Sequence, residues 1–132
     1  MDVVCGIFIK DEKVLIAKRK YGSSKGKYEF PGGKVEKNET KEEALIREWK
    51  EECGITLEKI IPFMTSVDFQ DGMHIELTSF LCTSSQIPQC LEHEEFIWTT
   101  PEHIYDYNFF EADRQLVECL EANYSKIQKE IG

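Results

Sequence analysis

Apolar runs separated by polar residues and turn signals mark the predicted strands. Residues 3–9 are apolar and rich in β-branched side chains, and residues 14–17 resume the pattern after four polar residues. This spacing predicts a hairpin that opens the fold. Residues 29–33, Glu-Phe-Pro-Gly-Gly, predict a short strand that runs into a tight glycine turn. Further strands are predicted at residues 60–67, 75–82 and 96–98, the first two joined by a turn at residues 70–72.

Two stretches have helical features. Residues 41–53 contain no helix breaker and lie between Thr40, which forms a capping-box spacing with Glu43, and Gly54, a residue typical of a helix end. From Glu111 onward the sequence predicts a long amphipathic helix, because apolar residues recur at helical spacing. These residues are Leu116, Leu120, Tyr124, Ile127 and Ile131. Together the elements predict a mixed sheet between helices, of α/β or α+β type, in a single domain over residues 1–132.

Composition narrows the class of protein. The chain has 132 residues, with 16 Lys and Arg against 25 Asp and Glu, and a formal net charge of −9. This acidity argues against binding to a nucleic acid polymer or a lipid surface, because both are polyanions. The five cysteines include no CxxC pair and indicate reduced, buried thiols. Since no signal peptide or membrane span is recognisable, we expect a cytoplasmic protein. We further expect it to act as a monomer or homodimer.

Acidic side chains concentrate on the predicted helix at residues 41–53. Glu48, Glu51 and Glu52 share one sector about 100° wide, and they border an apolar stripe made of Leu45, Ile46, Trp49 and Cys53. Like charges at this spacing repel one another unless a cation lies between them. Clustered carboxylates suit Mg²⁺, with Mn²⁺ as an alternative, whereas no His or Cys spacing suits zinc. Taken alone, the glutamates are more typical of a solvated acidic helix face than of a metal site.

The residues around these glutamates carry a resemblance. Gly33, five residues, Glu39, seven residues and then Arg-Glu-Trp-Lys-Glu-Glu-Cys-Gly-Ile at residues 47–55 resemble the Nudix box of the Nudix hydrolases. Trp49 stands where that family usually has an aliphatic residue, and we interpret it as a packing variant that leaves catalysis intact. Residues 29–34 and looser similarities along nearly the whole chain indicate the MutT-like group. The resemblance implies an α/β/α sandwich and Mg²⁺-dependent hydrolysis of nucleoside diphosphates linked to another group.

The resemblance also implies a set of catalytic and metal-binding residues. The carbonyl of Gly32 and the carboxylates of Glu48, Glu51 and Glu52 would hold the cations. Glu48 would activate water, and Arg47 would orient Glu48. Glu92 matches a carboxylate that binds metal or transfers a proton in relatives. We expect Glu39 to support the loop–helix junction, and we interpret the three histidines, His74, His93 and His103, as structural.

MutT-like relatives cleave nucleoside triphosphates to the monophosphate and pyrophosphate. Lys34 and Arg19 are candidates for contacts with phosphate, although Arg19 is equally compatible with a surface charge. Phe30 and Phe110 are candidates for stacking on the base or for the core, and Asp71 is a candidate acceptor near the base.

Asp113 stands where MutT itself has an asparagine. A carboxylate only accepts hydrogen bonds and suits the amine of cytosine, whereas an amide also donates and suits 8-oxoguanine. This difference favours CTP or 5-methyl-dCTP over 8-oxo-dGTP as substrate. Cleavage of ADP-ribose or dinucleoside polyphosphates, and a non-catalytic regulator that binds nucleotide, remain the alternative functions.

Overall fold

A computed structural model of the chain describes residues 1–22, 24–70, 72–109 and 113–131. The predicted strands lie in one mixed sheet. Its strands are β1 Asp2–Lys10, β2 Lys13–Lys18, β3 Tyr28–Glu29, β4 Gly32–Lys34, β5 Lys59–Gln70, β6 Met73–Thr83 and β7 Glu95–Thr99. Among the described residues the strand order is β3-β2-β1-β6-β5, with β4 paired to β1 and β7 paired to β2. Pairing of β1 with β6 is parallel, and the other pairings are antiparallel.

Helix α1 spans Lys41–Cys53, as the sequence predicts. Thr40 and Glu43 form the capping box, and Gly54 ends the helix in the left-handed conformation at a φ of 69°. A short 3₁₀ helix covers Pro101–Asp106, and α2 covers Arg114–Ile131. The predicted start of α2 at Glu111 lies outside the described residues.

The sheet lies between the two α-helices, which confirms the predicted α/β/α sandwich. Successive side chains of β1 point to opposite faces. Val4 and Phe8 pack with α1, whereas Cys5, Ile7 and Ile9 pack on the side of α2. Because both faces of β1 are covered, its sequence is a nearly continuous apolar run.

Residues Gly32 and Gly33 differ from prediction. They belong to β4, which pairs with β1, and neither has a positive φ. The glycines are therefore required for close approach and not for a turn. A Cβ at Gly32 would overlap the carbonyl oxygen of Val4 in the neighbouring strand.

Ile46 also differs from prediction, because its side chain is 37% exposed and does not belong to the buried stripe of α1. Ala44, Leu45, Trp49 and Cys53 are the buried residues of that helix. The buried face is therefore rotated toward the glutamates, away from Ile46.

The cysteines are free thiols, and three of them are buried as predicted: Cys5, Cys53 and Cys82. Cys90 is exposed and Cys119 is partly exposed. Within the described ranges, no helix has the length and apolar character needed to cross a membrane.

Candidate active site

A cavity of about 340 Å³ opens between the N-terminal part of β1, the β3–β4 segment, the β5–β6 hairpin and the start of α2. Six of the residues singled out in the sequence line it: Arg19, Phe30, Gly32, Lys34, Glu52 and Asp113. The structure therefore brings these residues together from four separate parts of the chain. Arg47, Glu48, Glu51 and Glu92 are not among its lining residues. Asp71 and Phe110 lie outside the described residues.

The three glutamates of α1 have unequal environments. The side chain of Glu48 is 17% exposed and that of Glu51 is 60% exposed. Oε2 of Glu52 is buried, and no described residue donates a hydrogen bond to it. Burial, followed by the charges of Glu48, Glu29 and Glu92, raises the pKa of Glu52 to about 8. The fold therefore keeps an acceptor atom without a donor at the wall of the cavity.

Glu48 is packed against the backbone of β4. A Cβ at Gly33 would lie 2.5 Å from Cδ of Glu48 and 2.6 Å from its Oε1. Only glycine leaves room for the carboxylate at this position. Burial raises the pKa of Glu48, while the neighbouring Arg47 opposes that rise.

Arg47 joins the loop before α1 to the glutamates. Its Nε and Nη2 donate to the two oxygens of Glu39 at 2.8 and 3.0 Å, and its Nη1 donates to Oε1 of Glu48 at 2.7 Å. Nη2 also donates to the carbonyl of Lys34 at 3.0 Å. The hydrogen bonds that Arg47 donates to Glu39 lower the pKa of Glu39 to about 2. Glu39 thus lies at the loop–helix junction, and Arg47 fixes the orientation of the Glu48 carboxylate.

Glu92 lies in an exposed loop between β6 and β7. The backbone N–H of Leu91 donates to the carbonyl of Glu52 at 3.3 Å, and Nε2 of His93 lies 3.0 Å from Oε2 of Glu29. The loop is therefore attached on both sides of Glu92. The charge of Glu92 contributes to the raised pKa of Glu52, so the two carboxyl groups interact.

The cavity is also lined by a buried carboxyl group, that of Asp113. Asp113 is 5% exposed. Burial and the charges of Glu29 and Asp68 raise its pKa to about 7, while Arg19 opposes the rise. Phe30 lines the same cavity and packs edge-on against Phe109, with ring centroids 5.2 Å apart. Phe30 is 2% exposed and therefore belongs both to the core and to the cavity wall.

Sequence reasoning missed three residues that line this cavity, Glu29, Ser66 and Asp68, and did not connect His93 with the site. Oε1 of Glu29 lies 3.6 Å from Nη1 of Arg19, and Oε2 of Glu29 lies 3.0 Å from Nε2 of His93. A signal for the β5 residues was available, because Ser66 and Asp68 alternate with the exposed Val67 and Phe69 and so share the opposite face of the strand. His93 is buried, and its partner Glu29 lines the cavity.

The residues present fit a divalent cation, although the described part of the chain contains no group of three His, Cys, Asp or Glu side chains already converged as a metal cage. The buried, unpartnered Oε2 of Glu52 and the space that Gly33 leaves for Glu48 are the observations that favour this fit. All the donors are oxygens, which suits Mg²⁺ or Mn²⁺. A cation here would also offset the repulsion among the three glutamates.

Comparison with known proteins agrees with the box recognised in the sequence. A CTP pyrophosphohydrolase of Escherichia coli (strain K12) is 33% identical over an alignment of 132 residues, which covers 92% of each chain. An 8-oxo-dGTP diphosphatase of Proteus vulgaris is 46% identical over 83 residues, which cover 61% of this chain and 70% of that protein. The solution structure of the E. coli ORF135 protein is similar with a TM-score of 0.81 and 31% identity, and covers 95% of this chain and 91% of that one. A model of the NUDIX domain matches residues 1–120. The resemblance is therefore confirmed, and this chain belongs to the NUDIX domain family.

Proposed function

We propose that this chain is a hydrolase that cleaves a nucleoside triphosphate to the monophosphate and pyrophosphate, with a preference for cytidine nucleotides. The observation that supports the proposal is that one cavity is lined both by Glu52 and the two glycines of β4 and by Asp113. A triphosphate chain fits the first group of residues, and a base fits the second. The named relatives, which act on CTP and on 8-oxo-dGTP, support the same reaction class.

Nudix hydrolases generally use divalent metal ions such as Mg²⁺. In this chain Glu48, Glu51, Glu52 and the carbonyl of Gly32 would hold them. When bound, such ions polarise a phosphoryl group and lower the pKa of an attacking water. Positioning and charge neutralisation of this kind are the main requirements of phosphoryl transfer.

The chain's own side chains would supply the remaining steps. Glu48, oriented by Arg47 at 2.7 Å, would accept the proton of the attacking water, and Glu92 is the alternative proton acceptor. Lys34 and Arg19, both lining the cavity, would neutralise phosphate oxygens. The roles of Glu48 and Glu92 can be separated by the pH dependence of kcat in the two glutamine variants.

Preference for a base would depend on Asp113. When it is ionised, its carboxylate accepts hydrogen bonds and offers none, which complements the exocyclic amine of cytosine. Phe30 would contact the ring of the base from the cavity wall. In the described part of the chain, Glu29 and Asp68 add two further carboxylates to the same cavity, which favours a base edge with donors.

The test is pyrophosphate release from CTP, 5-methyl-dCTP, dGTP and 8-oxo-dGTP in Mg²⁺, with wild-type protein and Asp113→Asn. We expect the variant to lower kcat/KM for cytidine nucleotides relative to 8-oxo-dGTP by about 10-fold or more, the size of one well-placed base contact. Asp106→Asn is the matched control, because Asp106 is exposed, bonds to His103 and does not line the cavity.

An unchanged substrate ratio in Asp113→Asn would remove the basis for base recognition. Cleavage of ADP-ribose or dinucleoside polyphosphates without triphosphate hydrolysis would support the other catalytic alternative. Nucleotide binding with equal background rates in wild type and Glu52→Gln would support a non-catalytic regulator.

A further inference from the structure

Trp49 makes a specific polar contact in addition to its packing. The residue is fully buried and stacks on Phe8, with ring centroids 5.3 Å apart and an interplanar angle of 20°. Its Nε1–H donates to the carbonyl of Pro31 at 3.0 Å. The same carbonyl accepts from the backbone N–H of Gly6 at 2.9 Å. The Pro31 carbonyl is therefore held by one donor from β1 and one from α1.

The fold makes space for this indole at one point of β1. A Cβ at Gly6 would lie 2.6 Å from Nε1 of Trp49 and 3.0 Å from its Cε2. Any larger residue at position 6 would displace the ring or its hydrogen bond. The absence of a side chain at Gly6 therefore makes room for the indole of Trp49. Another apolar residue at position 49 could fill this space but, without an N–H, could not donate to the Pro31 carbonyl.

The hydrogen bond from Trp49 to Pro31 connects α1 with the segment leading into β4, the two elements proposed to hold the cation. Pro31 directly precedes Gly32 and Gly33, and the Glu48 carboxylate packs closely against Gly33. Trp49 follows Glu48 on α1 and precedes Glu51 and Glu52 by one turn or less. The hydrogen bond from Trp49 to Pro31 thus helps to fix the position of α1 relative to β4.

We propose that Trp49 is a positioning residue whose indole N–H holds the Pro31–Gly33 backbone in register with the carboxylates of Glu48 and Glu52. The inference rests on the proposed function in one respect, namely that these carboxylates and the Gly32 carbonyl bind the cation. Without the bond, the Pro31 carbonyl keeps one donor, and of the two hydrogen bonds described between α1 and residues 31–34 only that from Arg47 to the Lys34 carbonyl remains. Groups that orient metal ligands commonly change metal affinity by about 10–100-fold when they are lost.

The chain offers a matched pair of variants, Trp49→Phe and Trp98→Phe. Both indoles contact the ring of Phe8, Trp98 edge-on with centroids 5.9 Å apart. Only Trp49 has a hydrogen bond to Pro31 among the described contacts. Mn²⁺ binding to the substrate-free protein, measured by electron paramagnetic resonance, should weaken about 10-fold in Trp49→Phe and less than 2-fold in Trp98→Phe.

Hydrogen exchange of residues 30–35 in metal-free protein provides a second measurement that does not depend on the metal. We expect amide exchange in this segment to be at least 10-fold faster in Trp49→Phe than in the wild type or in Trp98→Phe. Should Trp49→Phe fail to fold, replacement of Trp49 by 3-benzothienylalanine in the Trp98→Phe protein keeps the ring shape and removes only the N–H.

The outcomes separate this inference from the proposed function. Faster exchange together with weaker Mn²⁺ binding supports both. Faster exchange in a protein whose wild type binds no Mn²⁺ supports the positioning role and refutes the metal assignment of the glutamates. Unchanged exchange at residues 30–35 overturns the inference, whatever the metal affinity.

Discussion

Replacement of Glu52 by glutamine should make the metal-free protein more stable while it abolishes activity. Burial of the Glu52 carboxyl group, together with the charges of four neighbouring glutamates, raises its pKa from 4.5 to about 8. An acid whose pKa is raised on folding is ionised more easily in the unfolded chain. The stability of the wild type therefore falls as pH rises from about 4.5 to about 8, and then stays at its lower value.

The size of the effect follows from that pH range. The interval from 4.5 to about 8 spans about 3.5 pH units, and at about 1.4 kcal/mol per unit it corresponds to roughly 5 kcal/mol at full ionisation. A glutamine leaves a neutral polar group in the same buried place, which offsets roughly 1–3 kcal/mol of the gain. We therefore expect Glu52→Gln to gain about 2–4 kcal/mol at pH 9, with a Tm higher by about 6 °C or more.

The assay is thermal and urea unfolding of both proteins in EDTA at several pH values between 4.5 and 9. Near pH 4.5 the variant should be less stable than the wild type by roughly 1–3 kcal/mol, the cost of the buried amide. The difference should then change sign, grow in favour of the variant until about pH 8 and remain constant above it. Added Mg²⁺ should stabilise the wild type by mass action and leave the variant nearly unchanged, so that the difference narrows. Glu42→Gln, at an exposed position of the same helix, should show no such pH dependence.

Two results would refute this reasoning. One is a stability difference that does not change with pH, and the other is a variant that is less stable than the wild type at pH 9 in EDTA. Either result would mean that the Glu52 carboxylate is well solvated or has a donor, so that it carries no cost in the folded state.

Two further predictions concern the residues around Glu48. Gly33→Ala should lower kcat about 100-fold or more, because the new methyl group occupies the space of the Glu48 carboxylate. A kcat within 3-fold of wild type would contradict this. Glu39→Gln should lower kcat about 10-fold, since it removes charge from the pair of hydrogen bonds that orients Arg47. Glu36→Gln is its control, because that carboxylate is 68% exposed and lies 3.7 Å from Arg47. Equal kcat values in the two variants would assign no special role to Glu39.

The helix and its glutamates could be predicted from sequence because short-range signals specify them. The capping box at Thr40 and the stop at Gly54 set the bounds of α1, and the Nudix box lies on that helix. The exposure of individual side chains was less predictable. Ile46, expected in the apolar stripe, is exposed, whereas an oxygen of Glu52, expected only to border that stripe, is buried. The strands under α1, and not the helix pattern alone, decide which face is buried.

The base end of the cavity could be predicted only in part. Asp113 was found through resemblance, whereas Ser66 and Asp68 reach the cavity because β5 pairs with β6, and β6 pairs in parallel with β1. That parallel pairing joins segments about 70 residues apart, for example Val3 with Leu77. No local pattern encodes such a register, so the polar face of β5 could be recognised as polar but not located.

The residues proposed to hold the cation and those proposed to contact the base belong to different elements of the fold. The oxygen ligands proposed for the cation lie on α1 and β4, whereas Ser66 and Asp68 lie on β5 and Asp113 directly precedes α2. On the proposed assignment, substitutions on β5 or before α2 would alter the preferred nucleotide and leave the proposed metal ligands in place. New substrates would then be accessible through a few changes in these segments, without a change in α1 or β4.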